Sequence, residues 1–376
     1  MKLISLDKDY SIKLKSRVEN YMNPDFIYIP IKNNSIPFKK NSVIKKGELV
    51  FDSYASVSGK VIGIKQGTLA SGAKDKFLVI ANDFQEKLIK RMPVRKKMAD
   101  LTFDVVKKEL KNIERQKIDE NSLVEHLIIS GIDDEPYIAN EFFIQKENIK
   151  IILEMIDVLL NIFPKSKAHI CIKNIDRENI EGYTTFLGTY TNIELNLVDD
   201  LYLIGEEQNL CHTLNIFQNY LYLKTSEVVT LYNKIKKRKP LVEQFLTITG
   251  NAIKNPQVIN TKLGVKVMDI IDNFYNLDLK DCDIYVNGLM QGIKMNIKDL
   301  IVTKDLKGII LMKKTKRKTK NCINCGKCIE ICPIKSNPLL AYKKGVKVEC
   351  INCGLCTYIC PSFINLQKYL VGDGSE

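Results

Sequence analysis

The spacing of apolar positions changes several times along the chain, and each change marks a different kind of structure. Residues 26–80 alternate short β-branched runs with turn residues: Phe26 to Ile31, then Val43 to Phe51 around Lys46-Gly47, then Ser58 to Ile64. Short strands at this spacing predict a small all-β module. From about Asp100 the period becomes helical. A strand Leu127–Ile129 runs into the loop Ser130-Gly131-Ile132-Asp133-Asp134-Glu135-Pro136-Tyr137, after which Ile149, Ile152, Leu153, Ile156, Leu159, Leu160 and Phe163 share one helical face up to Pro164. Ala168–Ile172 reads as a strand, Arg177–Leu187 as a helix and Ile193–Val198 as a strand. Such alternation predicts a parallel sheet with helices on its faces. Helices are expected over Glu206–Asn219 and Thr225–Lys236, ending before Pro240.

Residues 241–311 mix both periods: strands Phe245–Thr249, Asp283–Val286 and Gly308–Met312, with a helix near Val267–Phe274. This predicts a compact α+β unit. A charged stretch, Lys313 to Lys320, separates it from the only clear internal repeat, at 322–333 and 350–361. The predicted fold class is therefore multidomain, α/β and α+β.

That repeat carries the strongest chemistry. Cys322, Cys325, Cys328, Cys332 and Pro333 spell C-x-x-C-x-x-C-x-x-x-C-P, and Cys350, Cys353, Cys356, Cys360 and Pro361 spell it again. Three thiolates at two-residue gaps wrap one face of an iron–sulfur cubane, and in two-cluster ferredoxins the fourth cysteine of each run ligates the other cluster. The predicted ligand sets are Cys322, Cys325, Cys328 and Cys360 for one 4Fe–4S cluster, and Cys350, Cys353, Cys356 and Cys332 for the other. Gly326 and Gly354 relieve crowding where the chain turns around each cluster. A pair of four-cysteine zinc sites would also use C-x-x-C pairs, but gives no reason for the third cysteine or for both prolines.

Length, composition and charge narrow the setting. At 376 residues the chain exceeds one typical core, and 45% hydrophobic with 27% charged residues is ordinary for a globular protein. No apolar run of about eighteen residues appears, and the N-terminus lacks a signal-peptide core, so a cytoplasmic protein without membrane insertion is expected. Eight of eleven cysteines crowd into the repeat, which indicates metal rather than disulfides; Cys171, Cys211 and Cys282 read as small buried hydrophobes. The net charge of +13 gathers at Lys87 to Lys97, Lys234 to Lys239 and Lys313 to Lys320. Without interleaved aromatics these are solvated faces rather than a nucleic-acid site, with an acidic redox partner or an anionic membrane surface as the sharper alternative. His126, His169 and His212 lie far apart in sequence and read as structural, and Lys60 lacks the context of a lipoylated or biotinylated hairpin.

Several local motifs, in order along the chain, resemble the RnfC family, the peripheral subunit of the Rnf NADH:ferredoxin oxidoreductase, and its relative that feeds electrons to proline reductase. They are Lys45-Lys46-Gly47 with Ser58-Gly59-Lys60-Val61, Ile129 to Tyr137, Lys239-Pro240-Leu241-Val242-Glu243 with Thr247-Ile248-Thr249-Gly250, Asn287-Gly288-Leu289-Met290-Gln291-Gly292, Val302-Thr303-Lys304, and Cys356 to Ser362. The resemblance implies four parts. Residues 1–95 would hold an N-terminal tail plus a barrel-sandwich hybrid. Residues 96–238 would form a Rossmann-like domain similar to the flavoprotein of complex I, 239–315 an SLBB-like β-grasp, and 316–376 the dicluster ferredoxin-type domain.

It also implies partners: another redox protein or the other members of an Rnf-type membrane complex, which would place the chain on the inner face of the cell membrane. In the family a glycine-rich loop cradles FMN and admits NADH, and an E-P-Y element completes the flavin site. Here Gly131, Glu135, Pro136 and Tyr137 match the second element, with Asp134 where the family has cysteine. The loop's counterpart, Leu110 to Asp119, contains no glycine. Phosphate cradling needs backbone N–H groups that side chains do not obstruct, and Asp133 and Asp134 would repel the anion. Two readings follow: a protein that takes electrons from NADH through FMN, and a flavin-free iron–sulfur adaptor.

Overall fold

The computed structural model describes residues 3–6, 14–31, 38–90, 101–110, 123–275, 277–314 and 318–371. The candidate FMN loop from Lys111 onward and the basic run at 91–97 lie outside the described residues.

Four strands, Ile193–Val198, Lys167–Lys173, His126–Ser130 and Tyr220–Lys224, form an all-parallel sheet in that spatial order. Numbered by sequence the order is 3-2-1-4, so the chain reverses direction across the sheet between His126–Ser130 and Tyr220–Lys224. In open α/β sheets the ligand crevice lies outside the carboxyl ends of the strands at that switch point. The central strands are β-branched and apolar throughout because both faces are covered. One face buries Ile152, Leu153, Ile156 and Leu159 of the helix Asn140–Ile162, with Val228 and Leu231 of the helix Thr225–Ile235. The other face packs Ile128, Cys171 and Tyr222 against Leu210 and Cys211 of the helix Glu207–Leu214.

One expectation is corrected here. The helix predicted over Glu206–Asn219 stops at Leu214, because Asn215 takes a left-handed conformation (φ 56°) that ends it. Tyr220–Lys224 is then the fourth strand, a short apolar run whose neighbour in the sheet lies about a hundred residues earlier in the chain.

The N-terminal sheet is antiparallel, in the order Phe26–Pro30, Lys74–Asn82, Gly59–Thr68, Val43–Ile44. It rests on a six-stranded sheet in the order Glu19–Tyr21, Gln257–Lys262, Glu243–Thr249, Gly308–Lys313, Cys282–Val286, Ile293–Lys294. The segment expected to be a tail thus supplies an edge strand, Glu19–Tyr21 running parallel to Ile259–Thr261. Lys262, 2% exposed, is neutralised by Glu86, which also binds Lys46, so an ion triad pins the two sheets together.

The cysteine-rich end folds as short helical turns, Lys327–Glu330, Pro338–Lys344, Leu355–Tyr358 and Lys368–Val371. Gly326 and Gly354 precede the turns at Lys327 and Leu355 with φ of 75° and 73°, a left-handed conformation that glycine adopts without strain.

Candidate iron–sulfur centre and its junction

The two cysteine runs are brought together crosswise. Cys328 has Cys325, Cys360 and Cys322 as its electrostatic neighbours. Cys353 has Cys332 and Cys350, and Cys356 has Cys353 and Cys350. Cys332, Cys350, Cys353 and Cys356 also line one cleft of about 360 Å³, walled by Ile334, Pro338, Ile351 and Leu370. A single ion would fill a small part of that space, whereas a four-iron cubane held by four thiolates suits it. The donor set therefore fits. Burial raises the thiols of Cys328, Cys353 and Cys356, the last to about 12. Thiolate ligation must then be driven by the bound iron, which couples cluster assembly to proton release.

The two groups differ in surroundings. Cys353 and Cys356 are buried, and Cys353 packs with Tyr202, Leu203, Met290 and Leu355. Cys325 of the other group is exposed. One thiolate set is thus inner and one outer.

The inner set meets the rest of the protein at a three-way junction. The Tyr202 hydroxyl donates to the carbonyl of Cys353 at 2.8 Å. The Gln367 amide donates to the carbonyls of Met290 (3.0 Å) and Asn352 (3.2 Å). Glu135 accepts from the N–H groups of Met290 (3.1 Å) and Gln291 (2.8 Å). The loop 287–292 is therefore clamped between the switch-point loop and the inner cysteines. In the sequence that loop stands out as a motif without a role, and Tyr202 does not stand out at all. No local pattern marks their function, since both act across distant parts of the chain.

Burial pushes the Glu135 carboxyl up to about 7, and the neighbouring charge of Asp134 adds to the rise that the two N–H donors oppose. The folded state therefore holds this proton more tightly than the unfolded chain, whose reference value is 4.5. That contribution to stability is whole below about pH 4.5 and is lost as pH rises through about 7. Relative to the Glu135→Gln variant, wild-type stability in urea melts is expected to fall by about 2–3 kcal/mol between pH 5 and 8.

The crevice at the switch point is occupied by the chain's own carboxylates. Asp133 accepts from the N–H of Phe142 (3.1 Å) in the first turn of the long helix. Glu141 accepts from Thr225 Oγ1 (2.6 Å) and from Ser226 N (2.9 Å) and Oγ (2.6 Å) at the start of the helix Thr225–Ile235. Asp134 accepts from Gly205 N (2.8 Å) and pairs with Lys224 at 3.5 Å, both side chains largely buried. Burial and then Glu141 push the Asp133 carboxyl up. Burial alone would lower the Lys224 ammonium, but Asp134 and the acids around it outweigh that and keep it charged.

Helix N-termini and free N–H groups are what a flavin phosphate would use. Here these donors already serve Asp133, Asp134 and Glu141. Gly131, whose added Cβ would lie 2.0 Å from Gln145, is packed against that side chain, and Glu135 is engaged by the loop 287–292. Pro136 and Tyr137 continue the same turn, Tyr137 with φ 71°. The buried Ser130 hydroxyl and Gln145 Oε1 lack a protein partner nearby, but one hydroxyl and one acceptor do not replace a nest of N–H donors. Among the described residues the crevice does not fit the phosphate of FMN.

His126 and His169, far apart in sequence, meet across neighbouring strands with ring nitrogens 3.1 Å apart, at the opposite end of the sheet from the crevice. Cys171, Cys211 and Cys282 are buried.

Fold and site together define a multidomain iron–sulfur electron-transfer protein built on a flavoprotein-like α/β unit. Residues 296–372 match the family described as 4Fe-4S dicluster domain, and residues 102–218 the Nuo51 FMN-binding domain. Over most of its length the chain is a homologue of the RnfC proteins. It is 24% identical over 356 residues to the RnfC protein of the Na(+)-translocating ferredoxin:NAD(+) oxidoreductase complex of Acetobacterium woodii, covering 84% of this chain and 80% of that one. It is 24% identical over 373 residues to its counterpart in the proton-translocating complex of Clostridium ljungdahlii, covering 86% and 79%. A chain of an NAD+-reducing [NiFe]-hydrogenase superposes with a TM-score of 0.42 at 11% identity, over 52% of this chain and 41% of that one. Among the described residues no helix is long and apolar enough to cross a membrane.

Proposed function

We propose that this chain is the electron-transfer subunit of an Rnf-type oxidoreductase complex, passing single electrons through two 4Fe–4S clusters between a reduced donor and a partner oxidoreductase. The observation that carries the reading is the crosswise grouping of the eight cysteines. Cys350, Cys353, Cys356 and Cys332 hold the inner cluster, and Cys322, Cys325, Cys328 and Cys360 the outer. When bound, the clusters supply one-electron redox chemistry. The residues around them fix their spacing, keep water from the inner one and, through Tyr202 and Gln367, orient it against the loop 287–292.

The finer architecture belongs to the same proposal: a barrel-sandwich hybrid within 1–95, the α/β unit at 96–238, an SLBB-like β-grasp at 239–315 and the dicluster module at 316–376. Association with a membrane complex would come through partner proteins on the inner face of the cell membrane. An anaerobic reductive titration followed by electron paramagnetic resonance tests the reading. Two one-electron steps per chain, with magnetically interacting signals at full reduction, are expected; a single isolated signal would refute it.

The closed crevice favours a second, narrower reading, in which the chain works without FMN and receives electrons already unpaired. Its donors for an anion are satisfied internally, and the Leu110 to Asp119 stretch has no glycine to replace them. On that reading NADH added to the isolated protein leaves its visible spectrum unchanged.

A further inference from the structure

The outer cysteine group opens onto a surface whose composition is unlike the rest of the module. Ile323 is 66% exposed and Phe363 45%, with Cys325 exposed between the two runs. Lys318 and Lys320, both exposed, lie beside them. Lys320 N donates to the Ser362 carbonyl (2.9 Å), Thr319 Oγ1 to the Phe363 carbonyl (3.3 Å) and Ser362 Oγ to the Asn321 carbonyl (2.9 Å). These bonds hold the basic segment against the loop that carries Phe363. Lys327 is exposed on the first helical turn of the cluster loop. Among the described residues none of the three lysines forms an ion pair, and 318–371 holds eight lysines against two glutamates.

Apolar groups at the centre with unpaired charge of one sign around them form the pattern of a transient electrostatically steered interface. The inner set is closed off by Tyr202 and Met290. Electrons can therefore reach a diffusing protein only by way of the outer set.

We propose that this face is the docking site of an acidic one-electron carrier protein, seated over Ile323 and Phe363 and steered by Lys318, Lys320 and Lys327. The inference rests on the two-cluster reading above. In the step it describes, one electron leaves the reduced carrier, which is oxidised by one, and enters the outer cluster, which is reduced by one; the reverse reaction uses the same contact. Unpaired lysines of one sign raise the encounter rate with an acidic protein by roughly 10- to 1,000-fold at low salt, and the gain collapses as salt screens it.

Stopped-flow reduction of the cluster-loaded full chain by a reduced, strongly acidic bacterial ferredoxin tests this, comparing wild type with Lys318→Glu/Lys320→Glu. Iron content and the reduced-state spectrum are recorded on both, so that a chain lacking clusters overturns the two-cluster reading rather than the docking face alone. The expected result is a wild-type rate that falls steeply with ionic strength, and a variant of equal iron content at least about tenfold slower at low salt with a flat salt dependence. Equal rates in the two proteins overturn the proposal. So does a variant that loses binding to vesicles rich in phosphatidylserine while keeping its rate with ferredoxin, which would assign the patch to a membrane surface.

Discussion

Cys360→Ser is expected to remove the cluster whose other three ligands belong to the first cysteine run, and to leave the cluster of its own run in place. Cys360 lies among the neighbours of Cys328, together with Cys322 and Cys325, although 32 residues separate Cys328 from Cys360 in sequence. Iron in the purified variant should fall by about half, and the interacting signal of the reduced protein should give way to that of one isolated cluster. Cys332→Ser should do the converse and empty the inner cleft lined by Cys350, Cys353 and Cys356. Electron flow to an external acceptor should stop in both, because each variant interrupts a series path. If Cys360→Ser instead spared the outer set and emptied the inner one, each run would be ligating its own cluster.

The second large effect is expected at Gly354. Its φ of 73° already disfavours any side chain, and an added Cβ would lie 2.3 Å from the Met290 carbonyl oxygen. Gly354→Ala therefore has to push the inner cysteine loop off the loop 287–292, or the reverse, and should cost about 2–4 kcal/mol in urea melts. Gly326 occupies the equivalent place in the first run, with φ 75° and nothing within 4 Å of its added Cβ. Gly326→Ala carries the conformational penalty without the collision, so it should cost only about 1–2 kcal/mol. The difference between the two variants measures the packing of the dicluster module on the body. Amide exchange at Met290 and Gln291 should quicken in Gly354→Ala and stay slow in Gly326→Ala, since those N–H groups are held by Glu135 only while the loop stays in place.

What can be read in the sequence is what local chemistry repeats. The cysteine spacing announces clusters and their ligand sets because a cubane demands three thiolates at short intervals. The helix Arg177–Leu187 and the strand Ile193–Val198 fall where their periods predict them. Contacts between distant segments are not legible. Tyr220–Lys224 falls unassigned between two predicted helices because its five residues have no distinctive period, and it becomes a strand by pairing with His126–Ser130. Asp133 and Asp134 read as repelling a phosphate. In the structure they do more than repel: they take the N–H groups of Phe142 and Gly205 that an anion would have needed. Glu141 carries no motif at all, yet it caps the start of a helix that begins more than eighty residues later. The Glu135-Pro136-Tyr137 element resembles half of a flavin site, but its carboxylate faces the loop 287–292 because the neighbouring unit offers two backbone donors there.

A path through the molecule follows from these contacts. The inner cysteines are fastened to the α/β unit through Tyr202 and to the six-stranded unit through Met290, while the outer cysteines face solvent. Burial keeps the Tyr202 phenol protonated, so it remains a donor to the Cys353 carbonyl throughout the physiological pH range. A cluster held this way has one buried side and one neighbour leading outward, which is the arrangement a one-directional relay between two docked proteins requires. The closed crevice then places the conversion of electron pairs into single electrons outside this chain.

Quantifying iron, acid-labile sulfide and acid-released flavin in one anaerobically purified sample tests that account most directly. The account predicts about eight iron and about eight sulfide atoms per chain, no FMN, and a visible spectrum that dithionite bleaches and NADH does not. Stoichiometric FMN bleached by NADH, or zinc in place of iron, would contradict it.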